Sequence, residues 1–133
     1  MNVIKKIDPK IAVNMMLAVM SCMVVFHLLV LTGVIPYNMV WGGRLENASQ
    51  MYIFEAVSLI VNLAIIVVVA VKGGYLKPFL SKRTIAYILW ALVILFSLNT
   101  IGNLLSKNSL ELILFTPLTL ISAVLCYRMA IES

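Results

Sequence analysis

Charged side chains are scarce in this chain, and acidic ones are the scarcest. Its 133 residues include ten basic residues, five acidic residues and one histidine, so that 11% are charged. A soluble domain carries about 25% charged and roughly 45–50% apolar residues. The hydrophobic share here is 63%, and it is gathered in long blocks rather than spread at a regular spacing. This composition excludes an ordinary soluble globular protein.

Cysteine is also rare, and the two that occur, Cys22 and Cys126, lie singly within apolar stretches. A disulfide framework or a structural zinc site needs paired or clustered cysteines at short spacing. The sequence therefore predicts neither, and it argues against a thiol-redox membrane enzyme. We expect both cysteines to pack as small apolar side chains.

Short motifs of catalytic or metal chemistry are missing. The chain has no HExxH motif, no paired aspartate motif and no P-loop. Met16, Met20, Met23 and His27 recur at helical spacing, and their thioether and imidazole groups would suit copper(I). A methionine stripe is more typical of packing or lipid contact, however. The sequence therefore predicts no metal site and no cofactor.

What the chain does contain is four long apolar runs. They are Ile11–Val34, Met51–Val71, Ile85–Leu105 and Leu110–Ala130. A helix needs about 20 apolar residues to cross a hydrocarbon core about 30 Å thick. We predict an all-α membrane protein, a four-transmembrane-helix bundle that forms a single integral-membrane domain over residues 1–133 and is surrounded by membrane lipids. The first run exceeds the apolar region of about 7–15 residues in a signal peptide, so we expect it to be a retained span.

The basic residues predict the orientation of this bundle. Eight of the ten would share one side of the membrane with both termini, since only Arg44 and Lys107 fall on the other side. The eight are Lys5, Lys6, Lys10, Lys72, Lys77, Lys82, Arg83 and Arg128. Basic loop residues favour the cytoplasm, so we expect both termini there, in a bacterial inner (plasma) membrane because the chain carries no organelle signal. Nucleic-acid binding would need a basic stripe interleaved with exposed aromatics, and we predict no such partner.

Six polar residues interrupt the apolar runs at similar predicted depths. They are His27, Glu55, Asn62, Asn99, Asn103 and Thr116. At a rise of about 1.5 Å per residue, all fall near the midplane or in the half of the membrane away from the termini. Polar groups in lipid are costly, so they normally face one another or a wet cavity. We therefore predict that they meet in one interior pocket that opens away from the cytosol.

Helical spacing supports this convergence. Glu55, Ser58 and Asn62 share one face of the second span, and Asn99 and Asn103 share one face of the third. Asparagine also joins membrane helices through hydrogen bonds worth roughly 0.6–2 kcal/mol, so adhesion between helices is an alternative role for these residues. Glu55 is harder to explain in this way, because a carboxylate inside the membrane needs a cation, a proton or water.

Two further residues bear on the backbone around this pocket. Gly102 flanks the asparagine face of the third span, and we expect it to allow close approach of another helix. Pro117 cannot donate a backbone hydrogen bond to the carbonyl of Ile113, so we expect a kink in the fourth span beside Thr116.

The predicted outer loop, residues 36–50, places an aromatic and a base beside two glycines. Trp41-Gly42-Gly43-Arg44 can form a tight turn, because glycine reaches backbone angles closed to other residues. One interpretation is a lid over the outer mouth of the bundle. The alternative is an ordinary interfacial loop, with Glu55 an interfacial charge paired with Arg44 or Lys107.

Three functional hypotheses follow for a predicted ligand site of His27, Trp41, Arg44, Glu55, Asn62, Asn99, Asn103 and Thr116. In the first, the pocket binds or transports a small molecule, an ion or a lipid, and Glu55 and His27 exchange protons. Transport would favour a homodimer, because four helices seldom enclose a complete route. In the second, a membrane-embedded enzyme acts on a lipid or quinone-like substrate, with Glu55 and His27 as acid and base. In the third, the chain is a structural or accessory subunit without a ligand.

In size and layout the four-span plan resembles the small multidrug exporters and the DoxX-like proteins. The small exporters carry their key carboxylate in the first helix, where this chain has none. The constellation of His27, Glu55 and Asn99 with the Trp41–Arg44 segment matches no motif of those families, so the resemblance assigns no residue roles.

Overall fold

The computed structural model describes residues 2–39, 45–106, 109 and 111–132, and within these residues the chain is helical without strands. The helices are α1 (Asn2–Lys5), α2 (Pro9–Leu31), α3 (Ala48–Lys72), α4 (Lys82–Leu104) and α5 (Thr116–Ile131). A short 3₁₀ turn (Tyr37–Met39) follows α2, and a π-helical turn (Glu111–Phe115) leads directly into α5. The predicted all-helical, four-span fold class is confirmed.

Among the residues that the structure describes, four helical segments are long and apolar enough to cross a membrane. They are Pro9–Leu31, Ala48–Lys72, Lys82–Leu104 and Leu112–Ile131, with mean hydropathies of 2.2, 2.6, 2.0 and 1.8. Many large apolar side chains on them point outward, for example Ile60, Ile94 and Ile113. This outward apolar surface is the one that a membrane-spanning bundle presents to lipid acyl chains.

Three of the spans begin before their predicted apolar runs, because a polar residue caps the start of each helix. Asp8 accepts a hydrogen bond from the Lys10 backbone N–H (2.9 Å) ahead of α2. Asn47 accepts one from the Gln50 N–H (2.9 Å) ahead of α3, and Ser81 caps α4. Side-chain oxygens at this position satisfy backbone donors that have no partner within the helix. Each of these helices therefore begins two or three residues before its apolar run.

Glycine in the left-handed conformation ends α2 and α3. Gly33 has φ 85° and Gly74 has φ 81°, a region that residues with a Cβ rarely adopt. Because Gly33 terminates the first span, α2 ends at Leu31, three residues short of the predicted run. The helix therefore ends earlier than hydropathy alone predicts.

The spans form an open arrangement rather than a closed ring. Helix α2 packs against α3, α5 packs against α4, and α2 and α5 contact each other, whereas α3 and α4 barely touch. The order around the bundle is therefore α3, α2, α5, α4, with a gap between the outer pair. We call this gap the α3/α4 seam.

Both termini lie at the same end of the bundle, which we call the terminal end. The Arg128 guanidinium donates to the carbonyl of Ile7 (2.7 Å), and the Lys72 ammonium donates to the carbonyl of Glu132 (2.7 Å). These contacts hold the segment before α2 and the end of α5 against the end of α3. The side of the membrane on which this end lies stays a prediction from the basic residues.

The hydrophobic core fills the terminal half of the bundle. Its fully buried members include Met16, Met20, Leu89, Cys126 and Met129. The methionine stripe of α2 therefore packs in the core, as expected of such a stripe. Cys22, by contrast, lies on the exposed surface, since it is two residues beyond the buried position at Met20.

The close helix contact expected at Gly102 occurs at Gly73 instead. A Cβ built on Gly102 has nothing within 4 Å, whereas a Cβ on Gly73 would lie 2.5 Å from Val13 Cγ1. The expectation for Gly102 was wrong, because α4 faces open space there rather than a neighbouring helix.

Candidate functional site

A cavity of about 500 Å³ lies between the four spans, toward the end of the bundle opposite the termini, which we call the far end. Side chains from α2, α3, α4, α5 and the π turn line it, and most of them are apolar. The polar residues of its wall are His27, Glu55, Ser58, Asn62, Asn99, Asn103, Thr119 and Ser122. Five of the eight residues in the predicted ligand site therefore border one space.

A buried carboxylate and an imidazole meet at the wall of this cavity. The Glu55 side chain is 0% exposed and contacts His27 Nδ1 through Oε2, while His27 is 12% exposed. The contact bridges α3 and α2 about two turns into α3 and one turn before the end of α2. A carboxylate removed from water needs such a partner, so His27 is what makes the burial of Glu55 tolerable.

Aromatic rings back this pair on one side. Phe26 meets His27 edge to face with ring centroids 5.6 Å apart, and Phe115 of the π turn meets Phe26 at 4.8 Å. Phe26 and Phe115 also line the cavity. The polar pair thus sits in a largely apolar enclosure, where electrostatic interactions are stronger than in water.

Asn62 and Asn99 lie on facing walls, on α3 and α4 respectively. Asn62 is buried, whereas Asn99 is exposed and borders the α3/α4 seam. An amide group offers both donors and an acceptor, so these two side chains can bind either kind of polar group on a ligand.

A hydrogen-bonded cluster joins α4 to α5 at the same level. Thr119 Oγ1 donates to the Phe115 carbonyl (2.8 Å) and accepts from Thr100 Oγ1 (2.9 Å) and Asn103 Nδ2 (3.3 Å). Asn103 therefore joins α4 to α5 through a hydrogen bond, which is the alternative role predicted for it, and it also borders the cavity. Thr100 is buried by this contact.

The predicted Thr116 is displaced from the cavity by one helical turn. Thr119 and Ser122 line the cavity, and Thr116 does not. Thr119 and Ser122 were missing from the predicted set, although their spacing of three residues marks one face of α5. Thr116 was predicted from its depth alone, and depth does not give the direction of a side chain.

Pro117 lies at the start of α5, where its missing N–H is tolerated. A π turn at Glu111–Phe115 immediately precedes α5, and the expected kink stays a prediction. Such turns are a recognised cause of bends in long helices.

Trp41 and Arg44 of the predicted site lie outside the described residues. The lid interpretation of their loop stays a prediction, as does the pairing of Glu55 with Arg44 or Lys107.

A second cavity, of about 480 Å³, lies at the terminal end and has a different character. It is bordered by charged groups, among them Lys10, Lys72, Lys82, Asp8 and Glu132. Lys10 is held by the Gly73 carbonyl (3.0 Å) and lies over the Tyr75 ring. These contacts fasten the helix ends to each other, so we assign this cavity to the architecture of the terminal end.

Comparison with known proteins gives no relative for the site. No protein-family model, no curated protein and no solved structure matches the chain. Within the described ranges, no group of three or more histidine, cysteine or acidic side chains is arranged to hold a metal ion.

Proposed function

We propose that this small four-span protein binds a small molecule in the cavity, in contact with the Glu55–His27 pair. The observation that carries the proposal is a fully buried carboxylate, paired with a partly buried imidazole, on the wall of a cavity that the core does not fill. Cavities of roughly 300–1,000 Å³ with apolar walls and a few polar groups are typical ligand sites.

The same pair would be a poor choice if it only held helices together. Replacing a buried ion pair by apolar side chains of similar volume is often neutral or stabilising. A role in binding accounts for this choice, because a molecule in the cavity can contact the pair directly.

The test is a thermal-shift screen of the purified protein against lipids, quinones, small cations and water-soluble organic molecules, with Glu55→Gln as the variant. Glutamine keeps the shape and can still hydrogen-bond a neutral imidazole, so the variant should fold. We expect at least one compound to raise the Tm of the wild type and to lose most of this effect in Glu55→Gln. Glu46→Gln is the matched control, because Glu46 is exposed and does not border the cavity.

Two results would contradict the proposal. One is a Glu55→Gln variant that is more stable than the wild type while no compound in the screen binds either protein. The other is a ligand whose effect is equal in Glu55→Gln and Glu46→Gln. In either case the structural or accessory role would be the better account.

A second candidate is a membrane-embedded enzyme that acts on a lipid or quinone-like molecule. It is favoured by the direct contact between a carboxylate and an imidazole, the arrangement of a general acid and base. Mass spectrometry of each stabilising compound after incubation with the protein would separate the candidates, since only an enzyme changes the compound's mass or isomeric form.

A further inference from the structure

We infer that the ligand is an uncharged amphiphile that enters sideways from the lipid through the α3/α4 seam. Its hydrogen-bonding head would lie in the cavity, and its apolar chain would pass out between α3 and α4. This inference rests on the proposed function and adds the route and the chemical class of the ligand.

The route follows from the packing of the spans. Helices α3 and α4 barely touch, although α4 packs closely on α5 and α3 on α2. The cavity-lining residues at the edges of the seam are exposed, at 54% for Val57 and 60% for Leu98. The exposed Asn99 and Gly102 line the same cavity. The space is therefore continuous with the lateral surface of the spans, where a membrane protein meets acyl chains.

The edges of the seam match an apolar chain. Val57 and Val61 form the α3 edge, and Leu95 and Leu98 form the α4 edge. Glu55 and Asn62 are buried deeper in the cavity, whereas the amide of Asn99 borders the seam itself. A molecule with a polar head and an apolar chain fits this order, whereas a fully polar molecule would have to cross lipid and the apolar edge.

The charge of the wall favours an uncharged head. Among the lining residues that the structure describes, Glu55 and His27 are the only ones with ionisable acid or base side chains, and they contact each other. An anionic head would be repelled by the Glu55 carboxylate, and the described wall has no lysine or arginine to attract it. A cationic head would compete with His27 for the same carboxylate. Hydroxyl and carbonyl groups can hydrogen-bond to Asn62 and Asn99. Such groups are neither repelled by the Glu55 carboxylate nor in competition with His27 for it.

Gly102 provides a way to fill the route without disturbing the fold. It borders the cavity, and a Cβ added there has nothing within 4 Å. A larger side chain at this position would extend into the space that the ligand is inferred to use. Leucine is a good helix former, so the helix itself should tolerate Gly102→Leu.

The experiment compares four probes that share an unbranched ten-carbon chain and differ in the head. They are monodecanoylglycerol, decyl-benzoquinone, decyl phosphate and decyltrimethylammonium. Binding to the full chain in nanodiscs of zwitterionic lipid is measured by native mass spectrometry and by Tm. We expect one or both uncharged probes to bind, and both charged probes to bind about tenfold more weakly or worse.

The route is tested with Leu98→Trp and Gly102→Leu, which narrow or fill the seam. We expect each to weaken binding of the uncharged probe by about tenfold or more. Ile94→Trp is the matched control, because Ile94 lies one turn earlier on α4, is 63% exposed and does not line the cavity. It should bind as the wild type does.

The outcomes separate this inference from the proposed function. If a ligand is lost in Glu55→Gln but binds equally to Leu98→Trp, Gly102→Leu and wild type, the cavity binds a ligand and the sideways route is wrong. If only a charged probe or only a water-soluble compound binds, the assigned class is wrong. Failure of both uncharged probes also overturns the inference.

A second copy of the chain could cover the seam instead of lipid. Leu98→Cys in a Cys22→Ser background tests this alternative. A dimer mass together with a disulfide between two copies at this position would overturn the lipid route.

Discussion

At the scale of the residue, two buried charges in this protein have opposite surroundings. Glu55 meets His27 beside an unfilled cavity, whereas Arg128 is enclosed by its own partners. The guanidinium of Arg128 donates to the Ile7 carbonyl (2.7 Å) and to Glu132 (3.0 Å). The contacts of Arg128 join the ends of the chain, so its role is architectural, whereas Glu55 borders a cavity and is a candidate for binding.

We predict that Arg128→Ala lowers the stability of the protein substantially. Loss of hydrogen bonds made by a charged group costs about 1.5–3 kcal/mol each, and the truncation also leaves the Ile7 carbonyl without this donor. Thermal unfolding in detergent or nanodiscs measures the effect as a fall in Tm. Arg83→Ala is the control, because Arg83 is exposed. Equal Tm values for the two variants would contradict the structural role of Arg128.

The polar composition of the site was largely predictable from the sequence, and its geometry was not. The costs of burying His27, Glu55 and Asn99 in lipid predict that they face one interior space, and the structure brings them together. Thr119 was missed in favour of Thr116, because the direction of a side chain depends on the local helical phase.

At the scale of the element, hydropathy locates the spans and other residues decide where they end. Apolar runs predict the four crossings, because each must cover the hydrocarbon core. The observed ends are set by Asp8, Asn47 and Ser81 at the starts and by glycines in the left-handed conformation. The order α3, α2, α5, α4 was beyond prediction, since lipid-facing and protein-facing surfaces are both apolar and give no clear periodicity.

Two helix glycines are predicted to respond oppositely to alanine. Gly73→Ala should lower Tm, because its Cβ would lie 2.5 Å from Val13 Cγ1 and Tyr75 is close on the other side. Gly102→Ala should raise Tm slightly, since alanine is favoured in a helix interior by about 0.5–1 kcal/mol and meets nothing within 4 Å. Thermal unfolding of the two variants side by side is the measurement. The reverse order would contradict the packing described for α2, α3 and α4.

At the scale of the whole molecule, the two ends of the bundle are built differently. The terminal half is packed by a continuous core and closed by charged contacts, whereas the far half contains the cavity and the α3/α4 seam. The asymmetry of polar residues along the spans therefore corresponds to an asymmetry of packing.

The distribution of basic residues predicts which end of the bundle faces the cytoplasm. The basic residues cluster at the terminal end, so that end should be cytoplasmic and the cavity should lie in the opposite half of the membrane. Cysteine is introduced at one of two exposed positions at a time. Lys77 marks the terminal end and Glu46 marks the far end. In a Cys22→Ser background, a membrane-impermeant maleimide added to intact bacterial spheroplasts should label Glu46→Cys and leave Lys77→Cys unlabelled until the cells are opened. Labelling in the reverse order would place the termini outside. It would also move the cavity to the cytoplasmic half of the membrane, but the sideways route would still be open because α3 and α4 separate within the membrane on either orientation.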